Sequence, residues 1–264
     1  MPWQFRNTGC RTGSFNMSYD ESLAQSLLVA DHAFVVRVYG WQPPAISLGC
    51  HQDLNEIDVQ KATAAGIDVV RRPTGGRAIL HSDEVTYSVV MIASQKGVLT
   101  AYQSISEALA HGLRALGAPV ALEKSQPHFP SLYRSPSSVA CFASAARYEI
   151  QISGRKLVGS AQRRYARPDG QEVVLQHGSI LLGSDHLRIV DFMKNLNGEQ
   201  RDRMREDLRE KTIDLSSALG RRIEPDEVVS RLKKGFEEAW GIGFSAPDGT
   251  ESVEMPLAVQ SGIV

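Results

Sequence analysis

Cysteine is scarce in this chain: Cys10, Cys50 and Cys141 are the only three in 264 residues. They are odd in number, far apart and without a CxxC pair, which excludes a disulfide framework and the usual structural zinc spacings. No apolar run approaches the ~20 residues a membrane-spanning helix needs. The opening MPWQFRNTG lacks the apolar core of a secretory signal. Neither sign of charge dominates, since 29 Lys and Arg stand against 30 Asp and Glu. A formal charge of −1 gives no bulk attraction to nucleic acid or to an anionic membrane, and neither partner is expected. No internal repeat or low-complexity tract is present. These absences, with 42% apolar and 22% charged residues, lead to the expectation of a reduced, cytoplasmic, globular protein. One catalytic domain is expected over 1–245, its part at about 199–240 helical, with a poorly ordered tail at 246–264.

The periodicities that are present alternate between two kinds. NMSYDESLAQSLLVA (16–30) places Leu23, Leu27 and Leu28 at helical spacing, with Asn16 as the expected cap. Short runs rich in Val and Ile follow at 34–40, 45–49, 67–72, 77–81 and 86–93 and read as strands. DLNEIDVQKATAAG (53–66) reads as a helix stopped by Gly66. In TAYQSISEALAHGLRALG (100–117), Ile105, Leu109, Leu113 and Leu116 form one stripe, with Gly117 as C-cap. The stretch 125–140, SQPHFPSLYRSPSSVA, carries three prolines and five serines and reads as a long loop, a type that is often functional. Strands resume at 147–153, 155–165 and 173–183, with ISGRK and PDGQ as hairpin turns. The sum is an α+β protein: mixed, mainly antiparallel sheets with helices packed on them.

Two motifs carry chemistry. In RRPTGGR (71–77) the adjacent glycines let backbone approach a ligand and turn N–H groups toward it, while the arginines can pair with an anionic or carbonyl oxygen. The alternative is a tight hairpin between 67–72 and 77–81. The motif is neither a Walker loop nor a Rossmann fingerprint. In GRKLVGSAQRR (154–164), Lys156 follows a glycine turn on a strand, with Val158, Ser160 and Gln162 on its face by alternation. An inward lysine needs a partner or an anion to stabilise; an edge lysine would simply point at solvent.

RRPTGGRAILHSDEVTYSV, GRKLVGSAQRR and QHGSILL, in this order after NMSYDESL and PPAISLGCHQ, resemble the biotin/lipoate ligase and acyltransferase superfamily. The resemblance covers roughly residues 1–185 and is strongest to the lipoate-ligase and octanoyltransferase branch, whose biotin/lipoate-ligase-like catalytic domain is therefore expected. Biotin ligases carry a GRGRRG-type loop where this chain has RRPTGGR. The resemblance implies that Gly75 and Gly76 line an acyl tunnel and that Lys156 sits at the reacting carbonyl. Arg71, Arg77, His81, Gly159, Ser160, His177 and Gly178 are then candidates for contact with the substrate.

That branch holds two chemistries. Ligases use ATP and magnesium to make an acyl-adenylate; octanoyltransferases take octanoate already bound as a thioester to acyl carrier protein. Cys141 discriminates between them. In SSVACFASAARYEI its Cys-Phe pair resembles the acyl-bearing cysteine of the LipM type, where ligases tend to carry Asn-Asp. Ala143 and Ser144 depart from that type's pattern. Without the resemblance Cys141 would read as a small buried hydrophobe, as Cys10 and Cys50 do. The resemblance thus implies octanoyl transfer from octanoyl-acyl carrier protein, through a Cys141 thioester, to a lysine of a lipoyl carrier. The carrier would be a glycine-cleavage H protein or a dehydrogenase E2 domain, and no metal or cofactor is expected. The alternatives are an ATP-dependent lipoate ligase and a non-catalytic acyl-binding module. An acidic carrier protein would need a basic docking patch, for which Arg163, Arg164 and Arg167, or Lys233 and Lys234, are candidates.

Overall fold

The computed structural model describes residues 1–93, 98–123 and 148–246. Cys141, the Pro/Ser-rich stretch around it and the tail from 247 lie outside the described residues.

Two sheets carry the architecture. The larger has eight strands in the order β11-β1-β2-β6-β10-β9-β8-β7. These are β1 (Trp3–Arg11), β2 (Phe34–Trp41), β6 (Glu84–Ala93), β7 (Ala121–Leu122), β8 (Ile150–Ile152), β9 (Arg155–Ala166), β10 (Glu172–Leu181) and β11 (Phe244–Ser245). β11, β1 and β2 run parallel and the remaining pairings are antiparallel. The smaller sheet has the order β4-β3-β5, from β3 (Ala45–Leu48), β4 (Asp68–Arg71) and β5 (Ile79–His81). The helices are α1 (Gly13–Val29), α2 (Val59–Ala64), α3 (Val98–Ala115), α4 (Gly198–Lys211), α5 (Leu215–Leu219) and α6 (Pro225–Trp240). This is the α+β arrangement of mixed, mainly antiparallel sheets with packed helices that the sequence implies.

Alternation along the strands divides the larger sheet into two faces. One buries Val36, Val38, Val85, Tyr87 and Val89 against Ile105, Leu109 and Leu113 of α3 and Leu232 and Phe236 of α6. The expected α3 stripe is thus the core-facing one. The other face presents Tyr39, Trp41, Thr86, Ser88, His177 and Ser179 toward α1 and the smaller sheet, and the site lies there.

Several local expectations are corrected. α1 begins three residues before Asn16, and its cap is Thr12, whose Oγ1 accepts from Phe15 N at 3.3 Å. Asn16 is instead buried inside the helix. The helix read over 53–66 is two elements, a 3₁₀ turn at Leu54–Glu56 capped by Asp53 and α2 capped by Asp58. Each aspartate competes for backbone N–H groups and restarts the chain. β1 had no counterpart in the reading, because WQFRNTGCR shows no clean alternation and buries Gln4 and Thr8.

The RRPTGGR segment is not a hairpin. β4 and β5 do not pair with each other, because β3 lies between them, parallel to β4 and antiparallel to β5. The segment therefore bridges over β3. In β9 the pairing with β8 slips by one residue between Gln151↔Lys156 and Ile150↔Val158. Leu157 and Val158 both enter the main core as a result. The expected shared face of Lys156, Val158 and Ser160 does not hold across this bulge.

Candidate functional site

A cavity lies between the two sheets and encloses about 340 Å³ of non-atom space, part of it open to solvent. Met17 of α1, Tyr39 and Trp41 of β2 and Ile79 of β5 give it an apolar side. Ser47, Arg72, His81, Thr86, His177 and Ser179 give it a polar one. The wall from β9 and β10 is made of small residues, Gly159, Ser160, Ala161 and Gly178. At Gly178 the reason is steric: a Cβ would stand 2.4 Å from Gly159 O and 2.8 Å from the Tyr87 ring.

Each histidine at the cavity is held between a hydroxyl and a carboxylate. The Glu84 carboxylate is 2.8 Å from His81 Nδ1, so that nitrogen carries the proton, and Nε2 accepts from Ser47 Oγ at 2.8 Å. Trp41 stacks on the His81 ring at 4.0 Å and donates from Nε1 to Thr86 Oγ1. Thr86 and Ser179 donate in turn to Glu84 Oε1 at 2.5 and 2.8 Å. Burial pushes the Glu84 carboxyl up, but adjacent His81 and these hydrogen bonds outweigh it and hold the group below its usual value.

The second relay is built the same way. His177 Nδ1 faces Asp20 Oδ2 at 3.2 Å and its Nε2 accepts from Thr74 Oγ1 at 2.6 Å. Asp20 also takes Arg37 Nη1 at 2.7 Å, Tyr39 OH at 2.9 Å and Ser88 Oγ at 2.8 Å. Burial raises the Asp20 carboxyl, yet Arg37 and then His177 pull it below its normal range. Burial is also the main reason that His177 loses its proton more readily than a free imidazole, with Asp20 opposing. Asn16 joins this cluster, accepting from Arg37 Nη2 at 2.6 Å.

The arginine pair has divided duties. Arg71 donates from Nη1 to the carbonyls of Gly49, Cys50 and Gln52, and it does not line the cavity. Arg72, which the sequence reading passed over, does line it. Its guanidinium donates to the carbonyls of Gly75, Arg77 and Ser47 and to Ser47 Oγ. The Gly75 carbonyl is drawn to Arg72, and the glycine pair has its N–H groups free of bonds to other described residues. Gly76 has a φ of 94°, which favours glycine. Gly75 is in ordinary backbone territory, and a Cβ there would meet nothing within 4 Å. The fold itself therefore does not require glycine at 75.

Lys156 is buried and does not line the cavity; its Nζ donates to Glu149 Oε1 at 2.6 Å. The inward reading of this lysine holds, and Glu149 is a partner the sequence reading did not nominate. His81, Gly159, Ser160, His177 and Gly178 meet at the cavity, whereas Gly75, Gly76 and Arg77 lie in the loop beside it. Arg77 reaches Glu56 at 3.4 Å. Met17, Tyr39, Trp41, Ser47, Ile79, Thr86, Ala161 and Ser179 are cavity residues the reading missed. The polar i, i+4 pair Asn16 and Asp20 on an otherwise leucine-bearing helix was the available signal for the buried cluster. Of the docking arginines, Arg164 pairs with Glu172, and Arg167 with Asp31 and Asp169. Arg163 donates to Pro73 O, while Lys233 and Lys234 stand exposed on α6. Among the described residues no group of three His, Cys, Asp or Glu is placed to hold a metal ion, and no helix is long and apolar enough to cross a membrane.

Residues 12–237 match the family model described as lipoyl protein ligase A/B catalytic domain. The octanoyltransferase LipM of Kyrpidia tusciae is 38% identical over 244 residues, covering 90% of this chain and 87% of its own length. The octanoyltransferase LipM of Symbiobacterium thermophilum is 38% identical over 255 residues, covering 96% and 91%. Among solved structures, a bi-partite lipoate protein ligase from Thermoplasma acidophilum, studied with its E2 lipoyl domain, superposes with a TM-score of 0.76 at 20% identity. That superposition covers 96% of this chain and 89% of the other, and at such identity it is a likeness of fold.

Proposed function

The chain belongs to the lipoyl protein ligase A/B catalytic domain family, and from that premise we propose that it is an octanoyltransferase of lipoate biosynthesis that works through an acyl-cysteine. The observation that carries this reading is the cavity, apolar along Met17, Tyr39, Trp41 and Ile79, beside a loop whose carbonyls are turned away toward Arg72. Burying the seven carbons beyond an octanoyl carbonyl there is worth roughly 6 kcal/mol, at about 0.8 kcal/mol per methylene. Open space at Gly75, unused by the fold, suits a bound acyl group.

The donor is octanoyl-acyl carrier protein, and the acceptor is a lysine of a lipoyl carrier domain. The Cys141 thiolate attacks the thioester carbonyl, the bond to the carrier's sulfur breaks, and octanoyl-Cys141 forms with release of the carrier thiol. The acceptor's ε-amine then attacks that thioester; its C–S bond breaks, Cys141 is regenerated, and an amide remains. Lys156, which the resemblance puts at the reacting carbonyl, is fixed by Glu149 outside the cavity lining, so its part in this reading is charge and not contact. The N–H groups of Gly75 and Gly76 are the matching donors for the oxyanion. Thioester to amide is downhill, so no ATP or metal is needed. Arg163, Lys233 and Lys234 remain the candidates for docking an acidic carrier, because Arg164 and Arg167 are already matched by carboxylates.

The test is intact mass after incubation with octanoyl-acyl carrier protein in the absence of ATP. Wild type is expected to gain one octanoyl group that hydroxylamine removes, and Cys141→Ala none. No adduct, with lipoyl-adenylate formed on adding ATP and lipoate, would mean a ligase.

A further inference from the structure

Two imidazoles face the cavity, and the mechanism above employs neither. The second half-reaction, however, needs somewhere to put a proton. An acceptor lysine enters as an ammonium, and amide formation releases that charge. Ser47–His81–Glu84 and Thr74–His177–Asp20 are built alike, so what surrounds each carboxylate decides between them. Asp20 is compensated by Arg37 at 2.7 Å, with Tyr39 and Ser88 filling its remaining positions. A proton added to His177 would meet a carboxylate that is already neutralised. Glu84 differs. Its donors His81, Thr86 and Ser179 all fall on Oε1, and the buried Oε2 has no hydrogen-bond partner among the described residues. Its ion-pair partner among the described residues is His81. A buried carboxylate without a fixed counter-charge stabilises a cation forming beside it.

Resting on the octanoyltransferase reading, we propose that His81, backed by Glu84, is the proton acceptor for transfer to the acceptor lysine. The direction of the relay is set. Arg72 Nη1 donates to Ser47 Oγ at 3.1 Å, so the Ser47 proton points to His81 Nε2. Both Ser47 and His81 line the cavity. The lysine ammonium gives one proton to Ser47 Oγ as the Ser47 proton passes to His81 Nε2, and the freed amine bonds to the octanoyl carbon. The C–S bond breaks, and the sulfur leaves with the second nitrogen proton as the Cys141 thiol. His81 later returns the proton to solvent. The charged and titratable groups around the ring are Glu84 on β6, Arg72 after β4 and His177 on β10.

The experiment separates the two halves. Octanoyl-enzyme is prepared from octanoyl-acyl carrier protein for wild type, His81→Gln and Glu84→Gln, then split between hydroxylamine and a lipoyl domain. Hydroxylamine is already unprotonated at neutral pH and needs no base. Both variants are expected to acquire the octanoyl mass and yield it to hydroxylamine within about twofold of wild type. Transfer to lysine should fall about 100-fold for His81→Gln and at least about 10-fold for Glu84→Gln, the usual span of general-base catalysis. Lysine transfer within about threefold of wild type in His81→Gln would overturn the proposal. Equal slowing of acylation, hydroxylamine release and lysine transfer would also overturn it, by reducing His81 to a packing role. A wild type that takes no octanoyl group would instead sink the function reading, and this inference with it.

Discussion

Asp20 holds five groups in place: Arg37, Tyr39, Ser88 and His177 directly, and Thr74 through His177. Removing its charge leaves Arg37 fully buried without a counter-ion, so Asp20→Ala should cost about 3–5 kcal/mol in chemical denaturation. A loss under about 1 kcal/mol would mean the pair is not coupled as described. Two glycines should part ways in their effects. Gly178→Ala places a methyl against Gly159 O and the Tyr87 ring and should lower stability by about 1–3 kcal/mol. Gly75→Ala has open space and an ordinary φ, so its denaturation midpoint should match wild type while octanoyl transfer drops. Unchanged transfer in Gly75→Ala would take that loop out of the acyl site. Much of the site was legible at this scale, since His81, His177, Gly159, Ser160 and Gly178 were named from their motifs and meet at the cavity. Arg71 and Arg72 were not separable, because adjacent strand-end residues point opposite ways and sequence does not say which way is inward.

Helix α3 meets α6 so closely that Gly112 and Gly235 are in backbone contact. A Cβ on Gly235 would stand 2.5 Å from Gly112 N, and one on Gly112 2.6 Å from Arg231 O. Gly235→Ala should therefore force the helices apart and lower stability by about 1–3 kcal/mol, although alanine is the better helix former. A more stable Gly235→Ala protein would show that intrinsic propensity wins over the close approach. The stripe Ile105–Leu109–Leu113 was readable because its period is regular over the whole helix. The connection between β4 and β5 was not. Glycines between two apolar runs fit a hairpin, and only the pairing with β3 rules that out. The bulge at Leu157 escaped for the same reason, since one inserted residue leaves no mark on composition.

Across the whole molecule, buried titratable groups link stability to pH. His177 and His186 are both held below the free value of 6.5, chiefly by burial. The unfolded chain therefore takes up protons first as pH falls through 6.5, and stability drops from there. Asp20 and Glu84 are held below 3.8 and 4.5, so their contribution is complete above those values and is lost as pH falls beneath them. Denaturation midpoints should decline between pH 7 and 5, then more steeply below 4.5, and His177→Gln should flatten the first part. An equal slope in that variant would place the effect elsewhere. The α+β class and mixed sheets followed from the order of motifs, whereas strand order, a matter of contacts between distant segments, did not. Where the chain leaves the described sheet and where it returns, Glu123 N donates to Glu149 O at 2.9 Å and Tyr148 N to Glu123 O at 2.7 Å. The two described ends that flank the Cys141 segment thus meet at one hydrogen-bonded junction. Doubling the length of an insert between fixed ends costs only about 0.6 kcal/mol, so such a junction accepts replacements of different size. Because both of its bonds run backbone to backbone, the junction places no demand on which side chains the stretch between them carries.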